Sequence, residues 1–95
     1  MSAFLLTARA RADSEGLVRR LGRQQPRAAR RALDELFATM DWLAREGGAQ
    51  GAGRAPDGVR LWPLRDVVLA YRPPDEAAGT PAVLLRVLRR EPGGA

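Results

Sequence analysis

Apolar residues along the chain fall into two periodicities, one of strands and one of helices. An N-terminal run from Ala3 to Leu6 has the length of a short strand. Thr7 suits the N-cap of a helix, because its hydroxyl can accept from an N–H of the first helical turn. That first helix is expected from about Ala8 to Leu21, with Leu17, Val18 and Leu21 on one side. Ser14 and Gly16 weaken it, the glycine by about 1 kcal/mol, and Gly22 can end it. Pro26 fits the first turn of a second helix extending to Glu46. Its positions Ala29, Ala32, Leu33, Leu36, Phe37, Met40, Leu43 and Ala44 keep the three-four spacing of a helix burying one stripe, and Gly47 and Gly48 stop it.

Beyond the helices the period changes. GGAQGAGRAPDG, from Gly47 to Gly58, has no apolar anchor and is expected to be a loop. Strands are expected at Val59 to Leu64 and at Val67 to Arg72, joined tightly through Arg65 and Asp66. Pro63 belongs at an edge, since proline cannot donate to a ladder. PPDEAAGTP is a turn-rich connection, Ala82 to Leu88 the last strand, and Arg89 to Ala95 a basic, fraying tail. The order predicts one α+β domain over residues 1–95: an N-terminal strand, a two-helix hairpin and a three-strand antiparallel meander. The helices would pack on one face of that small sheet.

The last two strands do not alternate. Val67 to Tyr71 is unbroken apolar sequence, and Ala82 to Leu88 is interrupted only by Arg86. A strand with one wet face should alternate, so both faces here want cover. Two helices cover one face, and a chain of 95 residues has nothing left for the other. An uncovered apolar face marks an interaction surface, so the missing cover is expected to be another chain.

Composition narrows the chemistry. With neither cysteine nor histidine, thiol nucleophiles, disulfides, thiolate metal sites and the commonest general base are all missing. No cofactor or metal is expected. No run approaches the roughly 20 apolar residues of a membrane helix, and the first residues do not form a secretory signal, so the expected location is the cytoplasm. All 16 basic residues are arginine, and the 17 alanines beside them point to a GC-rich coding bias. The net charge of +5 survives that explanation and favours acidic partners.

FLLTARARAD, the long helix ending in MDWLAREGG, then GVRLWPLRDVVLAYRPPD and VLLRVLRREP together resemble the RelE/ParE superfamily of bacterial toxins, closer to the ParE branch. The likeness runs from Phe4 to Pro92, and the order of the segments carries it rather than any one motif. Ser14 and Gly16 depart from the pattern, which usually has a large aliphatic residue near Ser14. The resemblance implies the toxin of a type II toxin–antitoxin module, neutralised by the C-terminal segment of a cognate antitoxin wrapped around it. In the ParE branch the target is DNA gyrase, inhibited by binding without known catalytic residues. In the RelE branch the activity is ribosome-dependent cleavage of messenger RNA. A third possibility is a non-toxic, partner-binding member of the family.

The available side chains favour binding over catalysis. Arginine clamps phosphate well but is a poor base, because it stays protonated in proteins. Where the ribonuclease branch has an arginine three positions before the strand-end tyrosine, this chain has Val68, and the tail after Arg90 lacks that branch's second tyrosine. Tyr71 is expected in the core, and no catalytic residue is assigned. Arg60, Arg86, Arg89 and Arg90 are the candidate target-contacting or phosphate-binding residues, expected to converge on one side of the sheet. Trp62, Val68, Ala70, Leu84 and Leu88 are the candidate antitoxin surface. A homodimer and a toxin–antitoxin hetero-oligomer are both open as assemblies, and if the surplus apolar face is real the isolated chain is expected to be poorly soluble or dimeric.

Overall fold

The computed structural model describes residues 4–45, 58–75 and 77–90. The elements are β1 (Phe4–Leu6), α1 (Ala8–Gly22), α2 (Pro26–Arg45), β2 (Arg60–Leu64), β3 (Val67–Arg72) and β4 (Ala82–Arg89). The expected α+β architecture is present. The Gly47–Gly48 stop signal and nearly all of the expected 47–58 loop lie outside the described residues.

The four strands form one sheet in the order β1-β4-β3-β2. β2, β3 and β4 make the expected antiparallel meander, and β1 adds to it in parallel beside β4. The sheet is therefore mixed, because the helical hairpin returns the chain to the far side of β4. The last strand also runs longer than expected: Arg89 is in β4, and the Arg90 N–H donates to the Asp66 carbonyl at 2.7 Å. The rest of the expected tail, residues 91–95, lies outside the described residues.

Thr7 fastens the junction of strand and helix. Its hydroxyl accepts from the Ala10 N–H at 3.0 Å, the expected N-cap, and donates to the Leu85 carbonyl at 2.7 Å. α1 buries Ala10, Ser14 and Leu17, so Ser14 belongs to the inward stripe. Its hydroxyl is satisfied within the helix, donating to the Ala10 carbonyl at 2.9 Å. α2 buries Ala29, Leu36, Met40 and Leu43 along the stripe its sequence predicts. Against these lie Val67, Leu69 and Tyr71 of β3 and Ala82, Leu84 and Val87 of β4, forming one core. Trp62 packs against Trp42, with ring centroids 5.4 Å apart, and extends that core towards β2.

One irregularity decides which side chains reach that core. Ala70 stands opposite Arg86 and Tyr71 opposite Leu84, so Leu85 has no partner on β3. Strict alternation from Ala82 through Leu84 would bury position 86. The bulge adds one residue, and Val87 is buried instead. Arg86 is thereby kept out of the apolar interior.

Candidate functional site

The helices cover one face of the sheet, and no described element packs on the other. On the uncovered face Val68 of β3 pairs with Leu88 of β4 and with Pro63 of β2, while Ala70 pairs with Leu61. Val83 and Leu5 continue the face across β4 to β1. Leu5 is 56% exposed, and Leu61 and Leu88 are each 39% exposed, a high fraction for leucines on a four-stranded sheet. The surplus apolar face expected from the unbroken strands is present.

The candidate antitoxin residues divide between the two faces. Val68, Ala70 and Leu88 point to the open side, where Ala70 is itself buried among its neighbours while Leu88 is exposed. Leu84 is fully buried beneath the helices, and Trp62, paired with Leu69, also faces them. The bulge at Leu85 separates Leu84 from Leu88: even spacing puts them on one face, and one extra residue puts them on two. Leu5, Leu61 and Val83 belong to the open face without being among the expected residues. Leu61, set between Arg60 and Trp62, carries the one usable signal, the alternation of β2.

A second apolar surface lies around the edge. A groove of about 540 Å³ runs between α1, α2 and β1, lined by Leu6, Val18, Leu33 and Phe37, with Ser14 among its walls and Arg11 and Arg19 at its margin. β1 is an edge strand, so one side of its backbone is unpaired. Leu5 on the open face and Leu6 in the groove make the two surfaces meet at that edge.

The candidate arginines do not form one cluster. Arg60 is opposite Tyr71 and Arg89 opposite Val67, four residues apart along β3, or about 13 Å. Both are paired with residues of the helix side, Tyr71 and Val67, but the register places Arg60 towards one end of the sheet and Arg89 and Arg90 towards the other. Arg86 is engaged with α1. Its Nε–H and one Nη2–H donate to the two oxygens of Asp13 at 2.8 and 3.3 Å, and the Val87 N–H donates to the same carboxylate at 2.9 Å. The Arg86 hydrogen bond holds the Asp13 carboxyl below its ordinary range, against the opposing effect of burial and with help from Val87. Arg65, at φ 55° in the β2–β3 turn, makes a similar fork to Glu35 of α2 at 2.7 and 3.1 Å.

Among the described residues Arg86 and Arg65 are partnered by Asp13 and Glu35 in ion pairs, and Tyr71 stands apart from them. Tyr71 is fully buried on the helix side of β3, and its hydroxyl has no hydrogen-bond partner among the described residues. Burial pushes its pKa up. It is a core residue, as expected, and out of reach of a substrate. Among the described residues no group of three His, Cys, Asp or Glu side chains is placed to hold a metal ion, and no helix is long and apolar enough to cross a membrane.

What the geometry offers is surface for another chain, and the comparisons with known proteins agree in kind. The family model for the ParE toxin of type II toxin-antitoxin system, parDE, matches residues 4–92. Among solved structures the fold is similar to a chain of the chromosomal ParDE TA system from P. aeruginosa. That match has 26% sequence identity and a TM-score of 0.73, covering 96% of this chain and 98% of that one. A search of the curated proteins finds no match. A family match over nearly the whole chain, on a fold shared almost end to end, means that the chain belongs to the ParE toxin family of type II toxin–antitoxin systems.

Proposed function

We propose that this toxin inhibits DNA gyrase by binding it and is held inactive by a cognate antitoxin whose C-terminal segment wraps the chain. The observation that carries the antitoxin half is the apolar face that no described element covers. The open sheet face with Leu61, Val68 and Leu88 and the groove with Val18, Leu33 and Phe37 meet at the unpaired edge of β1. An extended segment crossing that edge would bury both surfaces, with backbone pairing to β1 fixing its register. A solved relative belongs to a ParDE system, which supports the pairing with an antitoxin.

The choice of gyrase over messenger RNA rests on family and on chemistry. Cleaving RNA needs a group to take the 2′-hydroxyl proton and an acid for the leaving oxygen. Val68 occupies the position where the ribonuclease branch carries an arginine, Tyr71 is buried, and the chain has no histidine or lysine. Binding without bond cleavage asks for none of these groups.

Induction of the chain alone, and then with its antitoxin, tests this reading in cells. Growth arrest with DNA damage signalling and intact messenger RNA, relieved by the antitoxin, is expected. Arrest accompanied by messenger cleaved at ribosomes would support the ribonuclease alternative instead. Unimpaired growth with folded protein present would leave a non-toxic binding module.

A further inference from the structure

β1 covers only part of its neighbour. It pairs with Ala82, Val83 and Leu84, which leaves the rest of β4 with an open edge facing α1. Two groups on that edge are already satisfied, the Leu85 carbonyl by Thr7 and the Val87 N–H by Asp13. A cleft of about 290 Å³ remains between α1 and β4, and Arg20, Arg86 and Arg89 are among its lining residues. Gly16 lies in its wall, where an added Cβ would meet nothing within 4 Å. The glycine that weakens the helix thus has open space beside it in the wall of the cleft.

The charges in the cleft are unbalanced. Asp13 is the one carboxylate in it, and both of its oxygens are taken by Arg86 and the Val87 N–H. Arg86 retains unused N–H donors, because the fork to Asp13 engages two of its five or so. Arg20 and Arg89 are exposed and have no ion pair among the described residues. Strand alternation from Val87 also turns the Arg89 N–H to this open edge.

From this we infer that the α1–β4 cleft is a phosphate-binding site, with Arg20 and Arg89 as its principal ligands and Arg86 as a fixed third donor. A carboxylate is a poorer fit. In this protein Asp13 and Glu35 are each matched by the fork of one guanidinium, whereas this cleft brings three together. A tetrahedral anion presents oxygens in enough directions to use donors from a helix, a strand and a backbone edge at once. The phosphate can belong to a nucleic-acid backbone or to a free phosphate compound. The site goes beyond the toxin reading and stands whether or not gyrase is the target.

The test is a titration of the full chain followed through the side-chain Nε–H resonances of Arg20, Arg86 and Arg89. Three probes are used: a short DNA duplex, inorganic phosphate and a glutamate-rich peptide. The duplex or phosphate should move those resonances together. Response to the duplex alone assigns the source as nucleic-acid backbone, and response to both assigns a general phosphate site. Arg20→Ala with Arg89→Ala should weaken duplex binding about tenfold and flatten its salt dependence by about one to two units of log–log slope. Arg30→Ala with Arg31→Ala removes the same charge from α2 and should change binding less than about twofold. Gly16→Gln, which fills the cleft from the helix and leaves every arginine in place, should also weaken it. Equal losses in both double variants would mean diffuse charge attraction and overturn the site. So would silence of the three arginines, or their response to the peptide alone.

Discussion

Single residues carry the joints of this fold, and each makes its own measurable claim. Thr7 works on both sides of one hydroxyl, capping α1 and tying it to Leu85, so Thr7→Ala is expected to cost about 1–2 kcal/mol in urea unfolding. Tyr71 shows the opposite case, a buried hydroxyl without a partner among the described residues. Tyr71→Phe keeps the ring and removes the unmet polar group, so it should leave stability unchanged or raise it by about 1 kcal/mol. A loss of binding or toxicity in folded Tyr71→Phe would contradict its placement in the core. Asp13 provides a pH signature. Its folded pKa is depressed, so its contribution is fully present above the unfolded value of about 3.8 and is lost as pH falls through the folded value. Wild type should exceed Asp13→Asn in stability at neutral pH, and the gap should close below about pH 4. A gap independent of pH would mean that the Asp13–Arg86 pair contributes nothing through ionisation.

Among the elements, the helices are far more legible in the sequence than the last strand. The stripe of α2 follows from spacing alone, and Thr7 and Pro26 mark the helix starts where they occur. The bulge in β4 has no comparable signal. AVLLRVLR is apolar at nearly every position, so nothing in it says where the alternation slips. That single slip separates Leu84 from Leu88 and divides the candidate surface between core and solvent. Pairing of β1 with β4 is equally hidden, because a three-residue strand is compatible with several positions. Deleting Leu85 tests the bulge. Without it, Leu84, Arg86 and Val87 would follow one another in regular alternation, Arg86 still outward opposite Ala70 and Val87 still inward, and what is lost is the packing of Leu85 and the Thr7 bond to its carbonyl. A cooperative thermal transition is therefore expected to survive, at a cost of about 1–2 kcal/mol. Loss of the cooperative transition would show that the fold needs the extra residue itself and not only the phase it sets.

At the scale of the whole molecule, one imbalance organises the rest. Two helices close one face of four strands, and the opposite face stays apolar. That much can be foreseen by counting apolar positions against available cover. Which arginines come together cannot, because Arg60 and Arg89 look equivalent until the register places them at opposite ends of the sheet. The isolated chain should dimerise or precipitate as its concentration rises. Leu61→Gln with Leu88→Gln should raise its solubility and weaken antitoxin binding by about tenfold or more, measured by sedimentation and calorimetry. A wild-type monomer stable at high concentration would remove the evidence that this face needs cover. The central claim is inhibition of gyrase, relieved by the antitoxin. The direct measurement is supercoiling of relaxed plasmid by purified gyrase with the folded, antitoxin-free chain titrated in. Loss of supercoiling with accumulation of cleaved DNA, reversed by adding antitoxin, is the predicted result. Undiminished supercoiling at a large excess of folded chain would contradict it.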